Sequence, residues 1–205
     1  MPNPIGITLN GEPGAIIKVL AAGTISSNGT LNLGTPATPN APPVVITTIN
    51  DDAYGGDTNN NGATSGSAGA WVGVLLFGAS GNWTHAIIRY AGNMSGVNGA
   101  VQLNGSIMTF NGVTIESCSG TAMDLGNGHS MLTNCQFNNC HAALTSVVID
   151  EIPNLVNCAA TGNAAGNSLS IAGNLGVNLT INAVNALGGQ GVFILDGVVH
   201  VLPGA

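Results

Sequence analysis

Residues 110–122, FNGVTIESCSGTA, can be laid over residues 132–144, LTNCQFNNCHAAL, at an offset of 22. Phe110 then falls on Leu132, Val113 on Cys135, Ile115 on Phe137, Cys118 on Cys140 and Ala122 on Leu144, apolar on apolar throughout. A further step of 23 sets Asn134 over Asn157 and Cys135 over Cys158. A backward step of 27 sets HAIIRYAG (85–92) over GVTIESCS (112–119), the difference being absorbed by GNMSGVNG (92–99). This period is too short for most helical repeats. It suits one turn of a β-solenoid, in which each coil lays its strands about 4.8 Å from those of the coil before.

The residue chemistry agrees. Glycine (31 residues), Asn (26), Thr, Ser and β-branched residues dominate, and each disfavours a helix or prefers turns and strands. The runs VVITTI (44–49), WVGVLLF (71–77), SIMTF (106–110), SVVID (146–150), NLTINAV (178–184) and VFIL (192–195) read as strands closed by Gly and Asn turns. The expected fold is all-β, one solenoid domain over residues 1–205, of about eight coils and roughly 35–40 Å in length. With 44% hydrophobic and 5% charged residues, the chain is the reverse of a disordered one. No apolar run reaches the roughly 18–20 residues of a membrane-spanning helix, so no membrane insertion is expected. MPNPIG has neither the basic start nor the apolar stretch of a signal peptide. Two basic residues and a net charge of -7 leave nothing to neutralise a phosphate backbone, which excludes nucleic acid as a partner.

Negative charge is concentrated in one place. Three of the nine acidic residues lie in DDAYGGDTNNNG (51–62), a loop expected to protrude from the solenoid over residues 50–69. Asp57, Asn59, Asn61 and Gly62 follow the first half of a calcium-loop pattern, in which alternating side chains supply oxygens and Gly makes the sharp turn. The bidentate Glu of such loops is replaced by Ala68, for which Asp51 and Asp52 are candidate substitutes. Two readings stand: a weak calcium site, or a solvated turn whose Asp and Asn side chains bond their own backbone. The four cysteines are read as free thiols stacked in two pairs, Cys118 over Cys140 and Cys135 over Cys158, rather than as disulfides. Side chains stacked in parallel need not reach the torsion a disulfide requires. Asn134 and Asn157 are read as an amide ladder between coils.

The segments PGAIIKVLAAGTISSNGTLNLG (13–34), PVVITTINDDAYGGDTNNNG (43–62), GAWVGVLLF (69–77) and WTHAIIRYAG (83–92) carry a resemblance. Together they resemble the right-handed parallel β-helix proteins built from PbH1-type repeats, many of them bacterial surface or secreted proteins. The resemblance covers about residues 13–160, with Asn61 standing where those loops often carry Asp. It implies a right-handed coil and a location outside the cell or on its surface. It does not imply an activity, because such folds host lyases, hydrolases, adhesins and inert stalks alike.

No catalytic constellation is legible. Lyases of this architecture resemble the chain in fold but use Lys or Arg beside calcium carboxylates, and Lys18 and Arg89 are expected several coils apart. Asp150 and Glu151 are adjacent, so on a strand they point to opposite faces. His85, His129, His141 and His200 have no metal spacing. A carbohydrate-binding adhesin would need exposed aromatics, and only Trp71, Trp83, Tyr54 and Tyr90 offer themselves beside Phe. GITLNGEPGAIIKVLAAG and GVFILDGVVHVLPGA both read as apolar strand without a polar or helical cap. The expectation is a non-enzymatic structural subunit whose ends are covered by a second copy or by flanking domains. Val198, Val199, Val201 and Leu202 are candidates for that contact.

Overall fold

Three short strands per coil follow from runs of β-branched and apolar residues cut by Gly, Asn or Ser. The chain was analysed as a computed structural model that describes residues 6–34, 40–92, 99–126, 128–167, 169–176, 178–180, 187 and 193–203. The first coil holds β1 (Thr8–Gly11), β2 (Ile16–Val19) and β3 (Thr24–Ser27); the second β4 (Thr30–Leu33), β5 (Val44–Thr48) and β6 (Gly73–Phe77). The third holds β7 (Ser80–Thr84), β8 (Ala86–Arg89) and β9 (Gly99–Asn104), and the fourth β10 (Ile107–Asn111), β11 (Thr114–Glu116) and β12 (Thr121–Asp124). The fifth holds β13 (Met131–Thr133), β14 (Gln136–Asn138) and β15 (Leu144–Val148). After a 3-10 turn, Ile149–Asn154, come β16 (Leu155–Val156), β17 (Ala159–Thr161), β18 (Leu169–Leu175) and finally β19 (Phe193–Val201).

Every third strand pairs in parallel, giving three sheets. Sheet A runs β1-β4-β7-β10-β13-β16, sheet B β2-β5-β8-β11-β14-β17, and sheet C β3-β6-β9-β12-β15-β18-β19. The fold is thus an all-β parallel solenoid of about six turns among the described residues, not eight. Residues counted towards further coils are spent instead on the excursion between β5 and β6 and on the connection between β4 and β5. Of the expected strands, SVVID is cut short: Val148 ends β15, and Ile149 and Asp150 open the 3-10 turn. Residues 181–184 of NLTINAV and 93–98 of GNMSGVNG lie outside the described residues, and 178–180 are not strand.

Register turns the repeat into three apolar columns. Leu33, Trp83, Phe110, Leu132 and Leu155 stack in sheet A, and Ile46, Ile88, Ile115, Phe137 and Ala160 in sheet B. Val74, Val101, Met123, Leu144 and Leu169 stack in sheet C. All fifteen are buried. Trp83 meets Phe110 edge to face at 5.2 Å, the geometry aromatic rings prefer. The offset of 22 holds for Phe110, Ile115 and Cys118, but Leu144 pairs with Met123 rather than Ala122. Between register partners, six residues separate Glu116 from Met123 and five separate Asn138 from Leu144, so the earlier coil takes one residue more at this corner.

The corners explain the Asn and Gly content. At the bend from sheet A to sheet B, His85, Gly112, Asn134 and Asn157 each take a positive φ of 50–65°. At the bend from B to C, Tyr90, Ser117, Asn139 and Gly162 do the same at 54–67°. Gly and Asn tolerate this left-handed conformation best, and one such residue per coil turns the chain while its N–H still bonds the next coil. Ser117 N–H donates to Asn138 O, Asn134 N–H to Val156 O and Asn139 N–H to Thr161 O, each at 2.8–2.9 Å. Ser117→Val is expected to destabilise the protein by about 1–2 kcal/mol or more, whereas Ser117→Gly leaves it unchanged or slightly more stable. Denaturant unfolding of the two variants measures the difference.

Candidate functional site

The cations of the chain sit in matching strands, AIIK (15–18) and AIIR (86–89). Ile17 pairs with Ile46 and Ile46 with Ile88, so Lys18 and Arg89 occupy one outward column of sheet B, separated only by Thr47. They are two coils apart rather than several. Their repeated context, AII before each cation, is the sequence signal for this proximity. The loop after β5 folds back over that column, and its acids meet the two cations.

Asp51 is buried, 1% exposed, and its Oδ2 accepts from Thr47 Oγ1 at 2.7 Å and from Arg89 Nη1 at 3.0 Å. Arg89 Nε lies 2.8 Å from Glu116 Oε1 in the next coil, and Nη2 donates to Tyr90 OH at 3.0 Å. The guanidinium carbon stands 4.7 Å from the Tyr90 ring centre and 5.2 Å from that of Tyr54. Trp71 Nε1 donates to the Arg89 carbonyl at 2.7 Å, tying the end of the loop to the same residue. A planar, permanently charged fork is suited to holding two carboxylates and two rings at once. Thr47, Glu116, Tyr54 and Tyr90 therefore join Asp51 and Arg89 in one cluster.

The five expected calcium ligands do not form one set. Asp51 is engaged by Arg89, while Asp52 Oδ2 accepts from Thr64 N–H at 2.7 Å and from its hydroxyl at 3.1 Å. Asp57 accepts from the N–H groups of Asn61 and Gly62 at 3.2 and 2.9 Å. Asn59 and Asn61 both donate to Asn50 Oδ1. Among the described residues no three His, Cys, Asp or Glu side chains gather as a metal set. The hydrogen bonds of Asp57, Asn59, Asn61 and Asp52 Oδ2 are made within the loop, whereas Asp51 Oδ1 and Asp52 Oδ1 accept none.

The cysteines are buried and free. Their thiols donate to carbonyls of their own strand ends, Cys118 to Glu116 O at 3.3 Å and Cys140 to Asn138 O at 3.4 Å. Cys135 donates to Thr133 O at 3.5 Å and Cys158 to Val156 O at 3.6 Å. Burial pushes the Cys118 thiol up, and contact with Cys158, reinforced by burial, does the same for Cys135. Asn157 donates to Asn134 Oδ1 at 3.4 Å, and Asn134 to Asn111 Oδ1 at 3.2 Å, so the expected amide ladder has three rungs.

Asp150 and Glu151 lie on the 3-10 turn rather than on a strand. Glu151 is 1% exposed, and its Oε2 accepts from Val148 N–H at 3.4 Å. Its Oε1 lies 3.6 Å from Nδ1 of the exposed His129. Desolvation by burial raises the Glu151 carboxyl to about 7, Asp150 adding to the rise and the Val148 N–H opposing it. Of the candidate assembly residues, Val198, Val201 and Leu202 are exposed, whereas Val199 packs against the core. Comparison of the chain with protein families, curated proteins and solved structures finds no match.

Two measurements follow from these arrangements. A carboxyl raised in the folded state stabilises the fold below its unfolded value of about 4.5, and that contribution is lost as pH rises through about 7. The melting temperature should therefore fall between pH 5 and 8, and Glu151→Gln should flatten the fall. A thiol titration of the unfolded, unreduced protein should count four, where two disulfides would give none.

Proposed function

We propose that the protein is a non-enzymatic structural subunit acting outside the cell. It is a right-handed parallel β-helix of the PbH1-repeat kind that stacks end to end into a filament or forms a stalk segment of a larger surface protein. The right-handed sense rests on the general preference of parallel crossovers and on the sequence resemblance. The resemblance also supports the location at a bacterial surface.

One observation carries the reading: both ends of the described solenoid leave apolar side chains and strand edges uncovered. At the first coil Ile7, Leu9 and Leu20 are exposed, and the core opens between Leu9, Ile17, Ile25, Leu31, Leu33 and Ile46. At the last, Ile194, Leu195, Val198, Val201 and Leu202 are exposed along β19. Edges of this kind carry unpaired N–H and C=O groups that another strand can satisfy, and Lys18, on the edge strand β2, is turned against the acidic loop. In a parallel solenoid the strands at both ends run in the same sense, so a second copy continues each sheet without reversal. Head-to-tail contacts of that type generate filaments.

Other observations weigh against the alternatives. Trp71 and Trp83 are fully buried, and Tyr54 and Tyr90 face Arg89, which leaves none of the four as a sugar-stacking platform for an adhesin. Asp51, Asp52 and Glu116 are tied to Lys18 and Arg89. The calcium reading of Asp51, Asp52, Asp57, Asn59 and Asn61 rests on spacing alone, and the loop is assigned a structural role. No helix among the described residues is long and apolar enough to cross a membrane.

Electron microscopy and light scattering of the purified protein test the reading. The expected result is unbranched filaments repeating at roughly 30 Å, six coils of about 4.8 Å, with Val201→Lys leaving soluble monomers. Wild type that stays monomeric at high concentration removes the filament and leaves the stalk segment. Release of reducing or unsaturated ends from pectin or alginate, tracking the purified protein, overturns the non-enzymatic reading.

A further inference from the structure

Lys18 leaves the outer face of sheet B beneath the acidic loop, with its side chain 8% exposed. Its ammonium donates to the Gly56 carbonyl and stands 3.9 Å from Asp52 Oδ1. A backbone carbonyl and a carboxylate oxygen turned towards one positive centre are the donors with which oxygen-rich loops hold a hard divalent cation. That carboxylate oxygen, Asp52 Oδ1, is buried without a hydrogen-bond donor, and so is Asp51 Oδ1 of the neighbouring residue. Asp51 is itself 1% exposed. Buried carboxylate oxygens without donors need positive charge close by. The chain has two cations in all, and Arg89 already serves Asp51 Oδ2 and Glu116.

We propose that Lys18 is the resident cation of the acidic loop, its ammonium filling the position between Gly56 O and Asp52 Oδ1 that a calcium ion would otherwise take. The sequence pattern of Asp57, Asn59, Asn61 and Gly62 is then that of a metal loop whose metal has been replaced from inside the chain. The ammonium of Lys18 already holds positive charge at that position, so a divalent ion approaching Gly56 O and Asp52 Oδ1 in the intact protein meets its repulsion. Removing the ammonium while keeping its apolar stem leaves the Gly56 carbonyl and the Asp52 carboxylate facing an unfilled position. That position now favours a hard cation of charge two. This inference does not depend on the filament reading.

The test compares thermal melting of wild type, Lys18→Met, Lys18→Arg and the double variant Lys18→Met/Asp52→Asn, each in millimolar calcium and in chelator. Terbium emission excited through tyrosine reports ion binding directly, because Tyr54 lies in the loop. Wild type and Lys18→Arg should melt at the same temperature in both buffers and give no terbium emission. Lys18→Met should melt about 3 °C lower in chelator, recover most of that loss in calcium, and give terbium emission that calcium displaces. The added Asp52→Asn should abolish both responses. If Lys18→Met does not fold in chelator, folding restored by calcium supports the proposal, and failure in both buffers contradicts it. Wild type that melts higher in calcium than in chelator overturns it, because a metal then resides beside Lys18. A folded Lys18→Met that responds to neither ion overturns it as well.

Discussion

Everything in this molecule depends on the in-register stacking of one coil on the next. The backbone bonds of each strand go to the coils on either side, and the corner residues keep those bonds through the bends. Because side chains alternate faces along each strand, register decides which residues are buried, and a slip of one position would expose a whole column. The columns are therefore built from residues that tolerate repetition: Leu on Phe on Trp, Ile on Ile, Cys on Cys and Asn on Asn. Such a core needs little charge at its surface to define it.

The few charges present have been placed where stacking alone does not act. The excursion between β5 and β6 has no coil above or below it, and its interior is polar. It is fixed instead by the two cations on the outer face of sheet B, by the rings on either side of Arg89, and by Asp and Asn side chains that bond loop amides and hydroxyls. Concentrating both cations there accounts for a loop that looks like a metal site in sequence yet satisfies itself in structure. A partly buried ion pair costs desolvation of both partners, so its value lies in fixing one loop position more than in net stability.

The solenoid was legible because a repeat forces the same residue type onto the same position. Phe110, Ile115, Cys118, Asn134 and Cys135 predicted their partners in the next coil, and the strand runs fell close to the observed strands. What was not legible depended on local insertions. A one-residue difference at the corner after β11 moved Leu144 from Ala122 to Met123, and the loop after β5 reduced the number of coils. The 3-10 turn at Ile149–Asn154 hid inside a run that reads as strand, because Val, Ile and Asp carry no signal that a corner will turn there. The closeness of Lys18 to Arg89 was not legible because spacing in sequence, 71 positions, conceals spacing in the stack. Only the shared AII context in front of each cation reveals it.

If stacking is the one strong interaction of this fold, then it should continue from copy to copy through the open ends and nowhere else. Amide hydrogen exchange followed as protein concentration is raised measures this strand by strand. The account predicts that β1, β2, β3, β16, β17 and β19 become slower to exchange together, while β7 to β15 exchange slowly at every concentration. Terminal amides whose exchange is independent of concentration, or new protection appearing on the outer faces of the sheets, would contradict it.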